Sequence, residues 1–190
     1  MSSSVSLSEL KEMRLKLKAE GKRVVFTNGV FDLIHSGHVD YLSKAKKLGD
    51  VLIVGLNSDE SVKRIKGNKR PILKQKERAF ILSNLKPVDY VIFFDEDTPE
   101  KLISEIIPDI LVKGADWAIE KIVGKDVVEK NGEHGVIVLN GSAVLDANIV
   151  RDNEGHGIAI AEETSVELGE NELSGNKEPE LLTKARPKTR

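Results

Sequence analysis

Apolar positions in this chain fall into short continuous runs separated by stretches of helical period. Arg23 to Thr27 is a run rich in β-branched residues and reads as a buried strand. Asp50 to Asn57 (DVLIVGLN), Val88 to Phe94, Ile110 to Lys113 and Gly135 to Leu139 read the same way. Between them the period changes to 3.6. Ser6 to Glu20 places Leu10, Met13 and Leu17 on one face, and Ser6 with Glu9 has the spacing of a capping box. Gly21 ends that helix. A second helix opens near Gly37, spaces His38, Tyr41, Leu42, Ala45 and Leu48 along one side, and stops at Gly49. Glu77 to Leu85 is a third, with Arg78, Ile81, Leu82 and Leu85 aligned. Thr98-Pro99-Glu100 reads as a helix start, with a cap, a proline at the first helical position and an acid in the first turn. Leu102, Ile103, Ile106 and Ile107 form its apolar stripe, and Pro108 ends it.

Strands that alternate with helices and are apolar along their whole length imply an α/β fold. The expectation is a doubly wound parallel sheet of five strands with helices on both faces. Residues 1–21 form an N-terminal helix packed on the domain, and residues 22–150 are the domain itself. Residues 151–190 are rich in Glu, Lys, Gly and Asn with little apolar periodicity, so they are expected to be a charged, disordered tail, with Ile158 to Ala161 as one candidate strand.

Composition narrows the chemistry. The chain has 190 residues, 29 Lys+Arg against 31 Asp+Glu, and no cysteine. Balanced charge gives no general attraction to nucleic acid or to an anionic membrane. Without cysteine there is no thiol nucleophile, disulfide framework or zinc–thiolate site. No run is long enough to span a bilayer and Met1 to Ser6 lacks an apolar core, so a cytoplasmic protein is expected. Neither G-x-x-x-x-G-K-[ST] nor G-x-G-x-x-G is present, which argues against a P-loop NTPase and a dinucleotide-dependent oxidoreductase.

The most informative stretch follows the first strand: Thr27-Asn28-Gly29-Val30-Phe31-Asp32-Leu33-Ile34-His35-Ser36-Gly37-His38. In parallel sheets ligands sit at the carboxyl ends of strands, and a helix start offers free N–H groups to phosphate. Two histidines at such a place are equipped to donate to phosphate oxygens as charge shifts during phosphoryl or nucleotidyl transfer. The bland alternative is a pair of helix-end histidines satisfied by backbone. The coincidence of strand, glycine-bearing turn, two imidazoles and helix start favours His35 and His38 as catalytic groups. Lys63, Lys66, Lys69 and Arg70 form a basic cluster, either a solvated loop or a set with one or two phosphate contacts.

T-N-G-x-F-D-x-x-H-x-G-H resembles the signature of the cytidylyltransferase-like nucleotidyltransferase superfamily, which implies a Rossmann-like fold and release of pyrophosphate from a nucleoside triphosphate. Leu48 to Asp59, Ser61 to Gly67, Arg70-Pro71, Glu77-Arg78, Val88-Asp89, Phe94 to Pro99 and Pro108 to Trp117 are most similar to heptose 1-phosphate adenylyltransferases. These occur alone or as the second half of bifunctional heptose kinase/adenylyltransferases, which supply ADP-heptose for lipopolysaccharide. The resemblance spans roughly Ser6 to Leu139. It implies ATP and a sugar phosphate as partners, Mg2+ on the triphosphate, no nucleic acid or membrane partner, and leaves a homodimer open. It implies nucleotide contacts from Thr27, Asn28, Gly29, Phe31, Gly37, Lys66, Arg78, Gly114, Asp116 and Trp117. Asp32 either orients the turn or helps hold metal. CTP with glycerol 3-phosphate or ethanolamine phosphate is the alternative substrate pair. One departure stands out: the family's acidic-Gly-x-Ser-Thr-Thr segment is replaced after Leu139 by Asn140-Gly141-Ser142-Ala143-Val144. That departure opens a further alternative, a nucleotide-binding protein with impaired turnover.

Overall fold

The computed structural model describes residues 4–114, 122–131, 135–139, 142–145, 149–151, 158–160, 165–168, 172–174 and 181–183. The chain divides into two compact units, residues 1–108 and 109–190.

The first unit opens with α1 (Leu7–Ala19). Ser6 Oγ accepts from Glu9 N while the Glu9 carboxylate accepts from Ser6 N, so the capping box is present. Leu10 is buried, and so is Arg14, whose Nε donates to Ile107 O at 3.1 Å. β1 (Val24–Gly29), α2 (Ser36–Lys46) and β2 (Val51–Asn57) follow as the apolar pattern predicts. α3 (Asp59–Lys66) is an element the periodicity did not suggest, although Ser58 caps it by accepting from Ser61 N and two acids fill its first turn. α4 (Gln75–Ser83), β3 (Tyr90–Phe94) and α5 (Glu100–Ile106) complete the unit. In α5 Pro99 is itself the N-cap, one residue later than Thr98, and no side chain caps the helix.

Parallel pairing runs β3-β2-β1, with Val24 opposite Val51 and Ile53 opposite Tyr90. Every residue of β2 is buried, as a central strand covered on both faces requires. Leu42 and Ala45 from α2, Val62 from α3, Ala79 and Leu82 from α4, and Leu102 and Ile103 from α5 supply the rest of the core.

The second unit pairs β4 (Ile110–Gly114) in parallel with β5 (Gly135–Leu139), joined through α6 (Lys125–Asn131). After them come β6 (Ser142–Leu145), β7 (Ile149–Arg151), β8 (Ile158–Ile160), β9 (Ser165–Leu168), β10 (Glu172–Ser174) and β11 (Leu181–Thr183). They pair in parallel as β6 with β9, β7 with β10 and β8 with β11.

The expected strand count is therefore corrected: six further short strands follow β5 in three two-stranded parallel ladders. The α/β alternation and the parallel sense hold, with β3, β2 and β1 paired within the first unit and β4 with β5 in the second. An apolar run marks a strand one at a time, whereas ladder membership depends on connections that periodicity does not encode. The remaining residues of the expected 151–190 tail lie outside the described residues.

Gly55 on β2 sits opposite Asn28 on β1. A Cβ there would stand 2.7 Å from the Phe26 ring and 3.1 Å from Asn28 Cβ. Phe26 is fully buried and has no room to retreat. Gly55→Ala is expected to destabilise the fold by about 1–3 kcal/mol through overpacking. Chemical denaturation measures this, and an unchanged midpoint would contradict the packing described.

Candidate active site

The site begins where β1 ends. Thr27 is fully buried, and its Oγ1 lies 2.7 Å from the Tyr41 hydroxyl on α2. That bond fixes the rotation of α2 over the strand that feeds it. Burial drives the Tyr41 phenol far above its usual pKa, so it stays a neutral hydroxyl. Tyr41 reads from sequence only as an apolar-face residue. The signal is its polar tip, since a buried tyrosine hydroxyl needs a partner.

Asn28 and Gly29 are half-buried at the end of β1. Phe31 then adopts φ 45, the left-handed region that costs a non-glycine residue about 1 kcal/mol or more. Its ring is almost fully covered. It passes 3.0 Å from where a Cβ on Gly29 would stand and packs tilted on His38, with ring centroids 5.5 Å apart. A side chain at position 29 would therefore displace the ring.

His35 is the N-cap of α2. Its Nδ1 accepts from Gly37 N at 3.1 Å, and His38 Nδ1 accepts from His35 N at 3.4 Å, the longer and weaker bond. The two ring centroids are 4.1 Å apart. A nitrogen that accepts an N–H carries no proton of its own, so this pattern assigns the neutral ring proton to Nε2 in both histidines. His35 is exposed and His38 half-buried. Burial first, and then the neighbouring His35, hold His38 below the usual histidine pKa. At neutral pH it is an uncharged Nε2–H donor.

Asp32 is held beside this turn. Its carboxylate accepts from Ile72 N at 2.8 Å, Leu73 N at 2.9 Å and Arg70 Nη1 at 2.7 Å. Burial alone would raise its pKa, but the hydrogen bonds from Ile72 and Leu73 and the Arg70 ion pair outweigh it and keep the carboxylate ionised. Arg78 is fully buried. Its Nε donates to Leu73 O at 3.0 Å, Nη1 to Val30 O at 2.7 Å and Nη2 to Asp59 Oδ1 at 2.8 Å.

The structure thus brings together Thr27, Asn28, Gly29, Phe31, His35, Gly37 and His38, with Arg78 beneath the turn. Lys66 is exposed in the last turn of α3, where Lys63 pairs with Glu60 and Arg64 with Asp97. Gly114 ends β4 in the second unit, next to Lys113, whose amine burial pushes down to about 8. Asp116 and Trp117 lie outside the described residues. Among the described residues no group of three or more His, Asp or Glu is placed to hold a metal ion, and no helix is long and apolar enough to cross a membrane.

Two outcomes follow. The His38 ring should titrate with a midpoint below 6.5, read by its ring proton shifts. As pH falls from 6.5 toward that midpoint the unfolded chain takes up the proton first, so stability should decline with acid in that window. A midpoint above 6.5 would contradict the buried, uncharged ring. Separately, a Cβ on Gly37 would meet His35 Cε1 at 3.0 Å and Nδ1 at 3.1 Å. Gly37→Ala should shift the His35 resonances without lowering the melting temperature, since alanine favours the helix. Unmoved His35 resonances would place that ring elsewhere.

The cytidylyltransferase-like family model matches residues 26–163. The chain is 60% identical over 114 residues to the bifunctional protein HldE of Citrifermentans bemidjiense, a match covering 60% of this chain and 23% of that protein. It is 61% identical over 115 residues to the HldE of Geobacter metallireducens, covering 60% of this chain and 24% of the relative. The chain thus matches about a quarter of the length of these relatives. Among solved structures, the lipopolysaccharide core biosynthesis protein from Thermoplasma volcanium superposes with a TM-score of 0.55 at 33% identity, over 63% of this chain and 98% of that one. With the family model covering most of the chain from β1 onward, and the paired histidines standing at the start of α2, the chain belongs to the cytidylyltransferase-like family.

Proposed function

We propose that this chain transfers AMP from ATP to a sugar 1-phosphate, specifically a heptose 1-phosphate, and releases pyrophosphate. The observation that carries the reading is the imidazole pair in the first turn of α2. Both Nδ1 atoms are occupied by backbone N–H groups, which leaves two Nε2–H donors for a ligand. A phosphate oxygen of the sugar attacks the α-phosphorus in line. The new P–O bond forms as the bond to pyrophosphate breaks, and the leaving group takes the electron pair. His35 and His38 donate to oxygens whose negative charge grows in that step, so their contribution is larger in the transition state than in the bound substrate. The turn from Thr27 to Phe31 lets the nucleotide approach the backbone closely. The identity to bifunctional HldE proteins, 60% over 114 residues and 61% over 115, supports the choice of adenylyl donor and heptose acceptor.

Mg2+ belongs to this proposal as a passenger of the triphosphate, where it would neutralise phosphate charge. Asp32 does not fit as its ligand, because both carboxylate oxygens already accept hydrogen bonds from Ile72, Leu73 and Arg70.

A second reading, nucleotide binding with impaired turnover, draws on one observation. Ser142, the residue nearest to the family's Ser-Thr-Thr segment, begins strand β6, paired with β9, where the family pattern calls for a helix start. A strand directs its N–H groups to its neighbour and does not offer a cluster of them to phosphate.

Pyrophosphate release decides between these. ATP with a heptose 1-phosphate should turn over, and CTP with glycerol 3-phosphate or ethanolamine phosphate should not. His35→Ala and His38→Ala should each lower kcat on the order of a hundredfold, with a smaller change in KM. Turnover only with CTP would reverse the substrate assignment. ATP binding with no pyrophosphate from any pair would favour the binding protein.

A further inference from the structure

The turn that presents the histidines contains a backbone conformation that has to be enforced. Phe31 has φ 45, and nothing in a phenylalanine side chain favours that region. The residues on either side of it are both tied down. Val30 O accepts from Arg78 Nη1 at 2.7 Å. The Asp32 carboxylate accepts from Ile72 N, Leu73 N and Arg70 Nη1. The two ties converge on one residue, since Leu73 N donates to Asp32 while Leu73 O accepts from Arg78 Nε. Arg78 is completed by Asp59 from the first turn of α3. Phe31 is thus bracketed by two anchors that share a single peptide segment.

We propose that Asp32 and Arg78 are positioning residues that hold Phe31 in its left-handed conformation and, through the Phe31 ring, hold His38. The ring is the transmitting part. It is buried between Gly29 and His38, so a change in the Phe31 backbone moves the surface against which the imidazole is packed. Arg78 has a protein acceptor on each of its three nitrogens and no solvent exposure, which is the condition of a strut and not of a phosphate anchor. The Asp32 carboxylate is likewise saturated by donors from the chain. The segment from Arg70 to Leu73 and the histidine turn therefore shift together. The effect on turnover rests on the adenylyl-transfer reading, but the effect on His38 does not.

Asp32→Asn keeps the size of the side chain and replaces one acceptor oxygen with an N–H donor that faces other donors. It should move the His38 ring resonances in the ligand-free protein. It should lower kcat on the order of tenfold to a hundredfold, with KM for ATP within about twofold. Phe31→Gly accepts the same φ without strain and removes the ring, so it keeps the turn while breaking the transmission. In the Phe31→Gly background, adding Asp32→Asn should lower kcat by less than about twofold more, because both changes act through one contact. Arg78→Lys retains the charge and loses the three-way geometry, and should reproduce the Asp32→Asn pattern. Three results would overturn the proposal. The His38 resonances stay at their wild-type positions in Asp32→Asn. The Asp32 and Phe31 effects multiply. Or Asp32→Asn raises the Mg2+ needed for half-maximal rate while leaving His38 unmoved, which makes Asp32 a metal ligand. A loss of ATP affinity confined to Arg78→Lys assigns that residue to the phosphates and removes it from the clamp. If no substrate pair turns over, the resonance arm still decides.

Discussion

Helix α2 begins directly after the turn that leaves β1, and its first turn is capped by imidazole nitrogen. Most helices place a hydroxyl or carboxylate at this position. An imidazole does the same work with one nitrogen and keeps a second for other use. The cap thus stabilises the helix and sets the tautomer of the catalytic candidate in one interaction. Because the capping nitrogen accepts, the ring proton is assigned to Nε2. Beside it, burial holds His38 below the usual histidine pKa.

That arrangement depends on the preceding turn. Thr27 is tied to Tyr41, which sets the helix relative to the strand, and Phe31 is forced into an unfavourable conformation against His38. Such strain costs about 1–3 kcal/mol and persists only where surrounding contacts overdetermine it. The buried Arg78–Asp59 pair and the saturated Asp32 carboxylate supply those contacts. They are costly to assemble, since removing either partner of a buried pair leaves the other charge uncompensated.

The strand-to-helix junction and its two histidines were legible in the sequence because they are local. An apolar run, a glycine-bearing turn and a helix start within a dozen residues declare themselves by spacing alone. The partners of Asp32 and Arg78 were not legible in the same way, although turn orientation was one of the two roles the resemblance implied for Asp32. The partners of Asp32 lie 38 to 41 residues away and Val30, one of those of Arg78, 48 residues away, and a charged side chain looks the same whether it meets solvent, phosphate or a backbone carbonyl. Tyr41 was counted with the apolar face, although its hydroxyl carries the link to Thr27. Helix α3 escaped notice because its eight residues bury only Ser61 and Val62, too few for a periodic stripe. The strand count was misjudged at the opposite end, where β6 to β11 are three or four residues long and, apart from β8 at Ile158–Ile160, were too short for their alternation to be read.

On the proposed reading His35 and His38 meet phosphate through Nε2–H donors held by their Nδ1 caps. A long-range proton–nitrogen spectrum of the imidazoles, recorded as a non-hydrolysable ATP analogue is added, tests it directly. Both rings should show Nε2–H tautomers before addition, and both Nε2 signals should move with saturation while Nδ1 remains the acceptor. Nδ1–H tautomers in the free protein, or imidazole spectra that stay unchanged as the analogue saturates, would contradict it.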